Sequence, residues 1–218
     1  MAGAFAFDYD GTLATEGRVS PDTEACLRQL QRRGHPLILV TGRILAELEQ
    51  VCPPACLLFD RVVGENGAVL AAPGQPAKAL GPRIPDTLAE ALRARRVPVQ
   101  RGEVLLATLT AYEAQVEEAI AALGIDCARI RNRDALMLLP PGCSKKTGLQ
   151  AAFAELQVDP REAVGFGDAE NDRALFEACG TGVAVANAVP ELKALAKVVL
   201  PAPNGEGIRR YLCERYLA

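Results

Sequence analysis

The sequence predicts an α/β protein: a doubly wound parallel sheet carrying a small inserted α+β cap domain. Three observations carry that prediction. Short apolar runs ending on polar loops and followed by helical stretches occur at both ends of the chain. The middle instead reads as helix, strand, strand, twice over. Proline and glycine clusters, Ala72-Pro73-Gly74-Gln75-Pro76 and Pro140-Pro141-Gly142, bracket that middle and suit hinges. The resulting division is a Rossmann-like core, 1–72 and 141–218, around a cap, 73–140.

Residues 3–8 form an apolar run that stops at Asp8-Tyr9-Asp10-Gly11-Thr12, as expected of a buried strand entering a loop. Ser20-Pro21 then supplies an N-cap and a first-turn proline; Cys26, Leu27 and Leu30 share one helical face before Gly34. Residues 36–40 read as the next strand, closed by Thr41-Gly42-Arg43 and a helix to about Val51. Asn66-Gly67 between Val62-Val63 and Ala68-Val69-Leu70 has the pattern of a hairpin turn. In the cap, helices are expected over 85–95 and 112–123, each followed by two strands, 97–101 with 104–109 and 125–131 with 135–139. Tyr112, Val116, Ala119 and Leu123 keep the spacing of one buried face, and the cap sheet is expected to be covered on one side. Strands at 163–166 and 182–186, each followed by a helix, complete the core.

With 218 residues, half of them apolar and 23% charged, the chain can bury a sizeable core. Its 24 basic and 27 acidic residues leave a formal charge of −3, which argues against nucleic acid as a partner. The single histidine, His35, excludes histidine-rich zinc sites and two-histidine chemistry. Seven cysteines, an odd count without a paired C-x-x-C, point to reduced thiols in a cytoplasmic protein. Cys52 and Cys56 are the one close pair, and lack the second pair a metal site needs. No uncharged apolar run approaches the ~20 residues of a membrane helix, so no membrane partner is expected. Oligomeric state is not legible.

Four polar clusters follow expected strands, and in a parallel sheet the C-terminal strand ends share one side, where ligands bind. Asp8 and Asp10, two apart on extended chain, can flank one reacting group, one attacking and the other handling a proton; the Thr12 hydroxyl can fix the carboxylates. Thr41, Gly42 and Arg43 offer a hydroxyl, an approachable backbone N–H and a cation, a combination that suits a phosphate oxyanion. The run from Gly142 to Gly148 superficially resembles a nucleotide loop, but Pro140 and Lys145 stand where that frame requires glycine. Lys145 instead reads as a fixed cation that keeps a nucleophilic carboxylate ionised. Asp168 and Asp172, in Gly-Asp-Ala-Glu-Asn-Asp, would join Asp8 in a crowd of carboxylates that a divalent cation relieves; an oxygen-only donor set points to Mg²⁺. Glu170 stands where a dinucleotide fingerprint needs its third glycine.

These motifs, with Gly-Glu-Asn-Gly-Ala between the second and third, resemble in order and spacing the haloacid dehalogenase-like phosphatases. More narrowly they resemble the Cof-type subfamily, whose α/β cap follows the second motif and which includes sucrose-phosphate, mannosyl-3-phosphoglycerate and phosphoglycolate phosphatases. The resemblance runs from Asp8 to the Asn204–Ile208 segment. It implies Asp8 as nucleophile, Asp10 as general acid and base, and Thr41 with Lys145 as stabilisers of phosphate and carboxylate. It places Asp168 and Asp172 at the metal, and Asn66 and Asn171 beside Gly42 and Arg43 at the substrate. Asp8 and Asp10 complete the expected metal-side carboxylates. Lys146 stands where the subfamily often has glycine, leaving open which lysine reaches the site. The expected activity is Mg²⁺-dependent hydrolysis of a small phosphorylated metabolite, a sugar phosphate or phosphorylated carboxylic acid, through an aspartyl phosphate. The alternatives are a phosphomutase or a non-catalytic binding module on the same fold.

Overall fold

The computed structural model describes residues 3–52 and 58–218. Cys56, half of the close cysteine pair, lies outside the described residues. The first apolar run is strand β1 (Ala4–Asp8), buried along its whole length as a strand covered on both faces must be. Helix α1 (Pro21–Arg32) follows, with the Ser20 side chain accepting the Thr23 N–H at 3.2 Å and Cys26, Leu27 and Leu30 buried as expected. Then come β2 (Leu37–Val40), α2 (Leu45–Val51), β3 (Arg61–Gly64), β4 (Val69–Ala71) and β5 (Lys78–Ala79).

The second half of the core adds α5 (Lys145–Leu156), β10 (Ala163–Gly167), α6 (Arg173–Ala178), β11 (Thr181–Ala184), α7 (Pro190–Leu195), β12 (Val198–Val199) and α8 (Asn204–Leu212). Among the described residues these strands form an eight-stranded sheet in the order β12-β11-β10-β1-β2-β3-β4-β5. The run from β12 to β3 is parallel; β4 and β5 pair antiparallel at one edge. Phe7 and Phe166 stack across the β1–β10 pair with centroids 5.0 Å apart, at the centre of the large core cluster. The chain winds outward from β1 in both directions, so the strand order reverses beside it.

The inserted segment holds α3 (Asp86–Ala94), β6 (Gln100–Arg101), β7 (Leu106–Leu109), α4 (Glu113–Leu123), β8 (Ala128–Asn132) and β9 (Ala135–Leu139). Its antiparallel sheet runs β6-β7-β9-β8, and α3 and α4 pack Leu88, Leu92, Val116 and Ile120 against Leu106, Leu136 and Leu138.

Lys78–Ala79 pair with β4, and the Leu80 N–H donates to the Ala68 carbonyl at 2.8 Å. Two expectations need correction. The second face of the insert sheet is also covered: Met137, Leu139 and Ile130 pack with Ala68, Val69 and Cys143 of the core. Leu123 is 43% exposed, and the buried face of α4 is Val116, Ala119 and Ile120, since a helix drifts off its stripe by the last turn.

Candidate active site

Strand register brings the polar loops together. Phe7 is level with Leu39 and with Phe166, so Asp8, the last residue of β1, stands between Val40 of β2 and the end of β10. One residue further on, Thr41 leaves β2 and Asp168 leaves β10. The three side chains therefore sit on one sheet end, and all are buried.

Lys145 arrives from the insert side. Ser144 caps α5 by accepting the Thr147 N–H, while the Thr147 hydroxyl accepts the Ser144 N–H, and this reciprocal box fixes the first turn that carries Lys145. The helix start lies against the Glu65–Gly67 turn so closely that a Cβ on Gly67, at φ +104°, would fall 1.8 Å from the Ser144 carbonyl oxygen. Lys145 Nζ donates to Asp8 Oδ1 at 2.6 Å and to Asp172 Oδ1 at 2.6 Å. Lys146 points away, 3.4 Å from Glu177 on the surface, so Lys145 is the lysine that reaches the carboxylates.

Asp8, Asp168 and Asp172 form a carboxylate cluster whose ligand oxygens lie within 4.8 Å of one another. Asp172 Oδ2 accepts the backbone N–H groups of Asp168 and Ala169 at 2.9 and 3.0 Å. With Lys145 on its other oxygen, Asp172 braces the loop from below. Asp168 Oδ1 accepts the Thr12 hydroxyl at 2.8 Å, so Thr12 holds Asp168 and not the Asp8 and Asp10 carboxylates it was expected to fix.

Burial holds the Asp8 carboxyl well above the usual range, Asp172 adds to the rise, and Lys145 opposes it. Asp168 is raised mainly by burial, against the Thr12 hydrogen bond. For Lys145 burial alone would lower the pKa; Asp172 and Asp8 reverse the sign, so the ammonium stays charged.

Asp10 stands outside this cluster. Its oxygens accept from Arg43 Nε and Nη2, each at 2.7 Å, and its side chain is 43% exposed at the cleft mouth. The expected metal-side group of Asp8, Asp10, Asp168 and Asp172 is thus three carboxylates without Asp10, and Arg43, expected at the substrate, pairs with Asp10 in this arrangement. Thr41 is buried, its oxygen accepting the Arg43 N–H at 3.1 Å, and Gly42 lies under Met137 of the insert. Asn66 Oδ1 accepts from Asn171 Nδ2 at 2.9 Å, beside a cavity of about 200 Å³ lined also by Ile130, Ser144 and Glu170. Asn171 Oδ1 is buried with no partner among the described residues.

Two pairings escape sequence reasoning. Glu65 is buried and accepts the backbone N–H groups of Glu103, Val104 and Leu105 at 2.6, 2.9 and 2.9 Å, tying insert to core. Arg133, at the β8–β9 turn, is ion-paired to Asp168. No spacing announces either pairing.

The donor set suits a hard divalent cation. Asp8, Asp168 and Asp172 bring carboxylate oxygens within 4.8 Å of one another, and no described sulfur or imidazole joins the cluster.

The chain is similar to several known proteins. The family model described as haloacid dehalogenase-like hydrolase matches residues 5–80 and 103–212. A phosphoglycolate phosphatase of Methanopyrus kandleri is 32% identical, covering 94% of this chain and 93% of that protein. An HMP-PP phosphatase of Cronobacter sakazakii is 26% identical, with 89% and 88% covered. Among solved structures, a haloacid dehalogenase-like hydrolase from Bacteroides thetaiotaomicron superposes with a TM-score of 0.82 at 17% identity over 99% of this chain and 100% of its own. A Thermoplasma acidophilum protein does so at 0.81 and 18%, over the whole of both chains.

Proposed function

Because the chain belongs to the haloacid dehalogenase-like hydrolases, we propose that it is a Mg²⁺-dependent phosphomonoesterase acting on a small phosphorylated metabolite, a sugar phosphate or a phosphorylated carboxylic acid. The carrying observation is the buried Lys145 ammonium, 2.6 Å from Asp8 in a cluster of three carboxylates, where it opposes the rise that burial and Asp172 impose on the Asp8 carboxyl and favours its ionised form. An ionised carboxylate at the end of a buried strand, beside a fixed cation, is equipped to attack phosphorus.

Asp8 adds to phosphorus and the ester oxygen departs, taking a proton from Asp10. Water then attacks the aspartyl phosphate with Asp10 accepting its proton, and phosphate leaves as Asp8 is restored. Thr41 and Lys145 hold phosphoryl oxygens, and Arg43 keeps Asp10 at the cleft mouth. A bound Mg²⁺ ion, held by Asp8 and Asp168 above the Asp172 brace, would supply further positive charge to the transferring group. Asn66 and Asn171 border the leaving group from the insert side.

The relatives named for phosphoglycolate make a short phosphorylated acid the first substrate to try. A small-molecule partner fits the formal charge of −3, and a cytoplasmic setting fits an odd count of seven cysteines without a paired C-x-x-C. No described helix is long and apolar enough to cross a membrane. The test is release of inorganic phosphate from single phosphomonoesters, with Mg²⁺ and with EDTA. Phosphate released only with Mg²⁺ is expected; conversion to an isomeric phosphate ester without release would identify a phosphomutase.

A further inference from the structure

Arginines of the insert are mostly spent on the insert itself. Arg101 pairs with Asp86, Arg129 with Glu117 and Arg131 with Glu113. Arg129 and Arg131 alternate with Ile130 on β8, so they lie on the helix-covered face while Ile130 faces the core. Arg133 breaks this pattern. It occupies the tip of the hairpin between β8 and β9, and its Nη2 donates to Asp168 Oδ2 across the cleft.

Two further features mark this arginine. Its φ of +52° is a left-handed conformation that Asn or Gly adopts more readily, so the turn accepts strain to carry this side chain. The close approach over the nucleophile loop also needs Gly11, because a Cβ there, at φ +79°, would meet Asp168 Oδ2 at 2.5 Å and Arg133 Nη2 at 3.0 Å. The side chain nevertheless remains 58% exposed, and its Nε and Nη1 have no acceptor among the described residues. The guanidinium thus sits one hydrogen bond beyond a carboxylate whose ligand oxygen is within 4.8 Å of that of Asp8, with planar donors to spare.

We infer that Arg133 is the specificity-determining residue of the insert and that it binds a carboxylate of the substrate while the phosphoryl group rests on Asp8. This rests on the phosphatase reading above and narrows it. The fork of a guanidinium matches the two oxygens of a carboxylate, which a sugar hydroxyl cannot replace. The short path from Asp8 through Asp168 to Arg133 fits a phosphorylated carboxylic acid with few carbons between its two anionic ends.

Two esters of nearly the same shape test this: 2-phosphoglycolate and 2-hydroxyethyl phosphate, which differ in the carboxylate. The parent enzyme should favour the acid in kcat/KM by roughly 50-fold or more, and Arg133→Ala should bring that ratio to within about fivefold, mainly through KM, with Arg133→Lys intermediate. A parent without preference, or a variant that loses the same factor on both esters, would overturn the assignment. Calorimetric binding of 2-phosphoglycolate to the Asp8→Asn protein, with and without Arg133→Ala, reads the same point without turnover. Binding weakened by the second substitution supports the role of Arg133; binding absent at the start, or unchanged by it, contradicts that role. A parent that releases phosphate from no ester would instead count against the phosphatase reading, and the calorimetry would still decide on Arg133.

Discussion

Lys145 Nζ lies 2.6 Å from Asp8 Oδ1 and 2.6 Å from Asp172 Oδ1, so one buried ammonium joins the end of β1 to the loop after β10. Its removal leaves buried carboxylates without a counter-charge. Lys145→Met is expected to lower turnover by about 10³-fold. The metal-free protein should also lose about 3–5 kcal/mol by urea denaturation, the usual cost of breaking a buried pair. Lys146→Ala, which removes an exposed partner of Glu177, should change neither measurement beyond about twofold or 0.5 kcal/mol.

Glu65 offers a separate test of how the insert is held. Glu65→Ala strands the N–H groups of Glu103, Val104 and Leu105, of which the last two are buried, and should cost roughly 3 kcal/mol of stability. Glu65→Gln, which still accepts hydrogen bonds, should recover part of it. Equal stability of all three proteins in urea would show that the insert does not depend on this contact.

Much of this site is legible in the sequence because its chemistry sits at strand ends. A buried run that stops at Asp8, and others that stop before Thr41 and Asp168, fix both the sheet end and the identity of the residues on it. Thr12 is legible as a hydroxyl beside the carboxylates, but its partner is the distant Asp168 and not Asp8 or Asp10. The pairings Asp10–Arg43, Asp168–Arg133 and Glu65 with residues 103–105 are a different matter. They join segments with no shared periodicity, and charge alone does not say which arginine of the insert turns to the core. Strands of two residues, β5, β6 and β12, are too short to show any alternation.

The carboxylate cluster also predicts the response to metals. Turnover should vanish after exhaustive EDTA treatment and return with Mg²⁺, while Ca²⁺ should inhibit, since its longer and looser coordination misplaces the attacking oxygen. Mg²⁺ should raise the melting temperature of the parent and do so much less for Asp168→Asn. Full activity in EDTA would remove the metal from the account.

Thiol chemistry gives a pH-dependent prediction. Burial, with Cys213 4.0 Å away, pushes the Cys26 thiol up to about 12, and burial does the same to Cys179. The folded protein therefore holds these protons where an unfolded chain releases them. Their contribution to stability is complete below the ordinary value of 9.0 and is lost as pH rises towards about 12. At pH 8 both should react with iodoacetamide at least about 100-fold more slowly than a free thiol, read by mass spectrometry of the native protein. All seven cysteines should titrate equally in denaturant with and without reductant. Rapid native labelling of Cys26, or a lower titre without reductant, would contradict this.

The most direct test of the central claim is the steady-state rate of phosphate release by Asp8→Asn in saturating Mg²⁺, with far-UV circular dichroism as the check on folding. The amide keeps the shape of the side chain and loses the charge that attacks phosphorus. The account predicts a folded protein, in its metal-free form at least as stable as the parent because one buried carboxylate is gone, with turnover reduced by about 10³-fold or more. A folded variant that retains activity within about tenfold of the parent would mean that Asp8 is not the nucleophile.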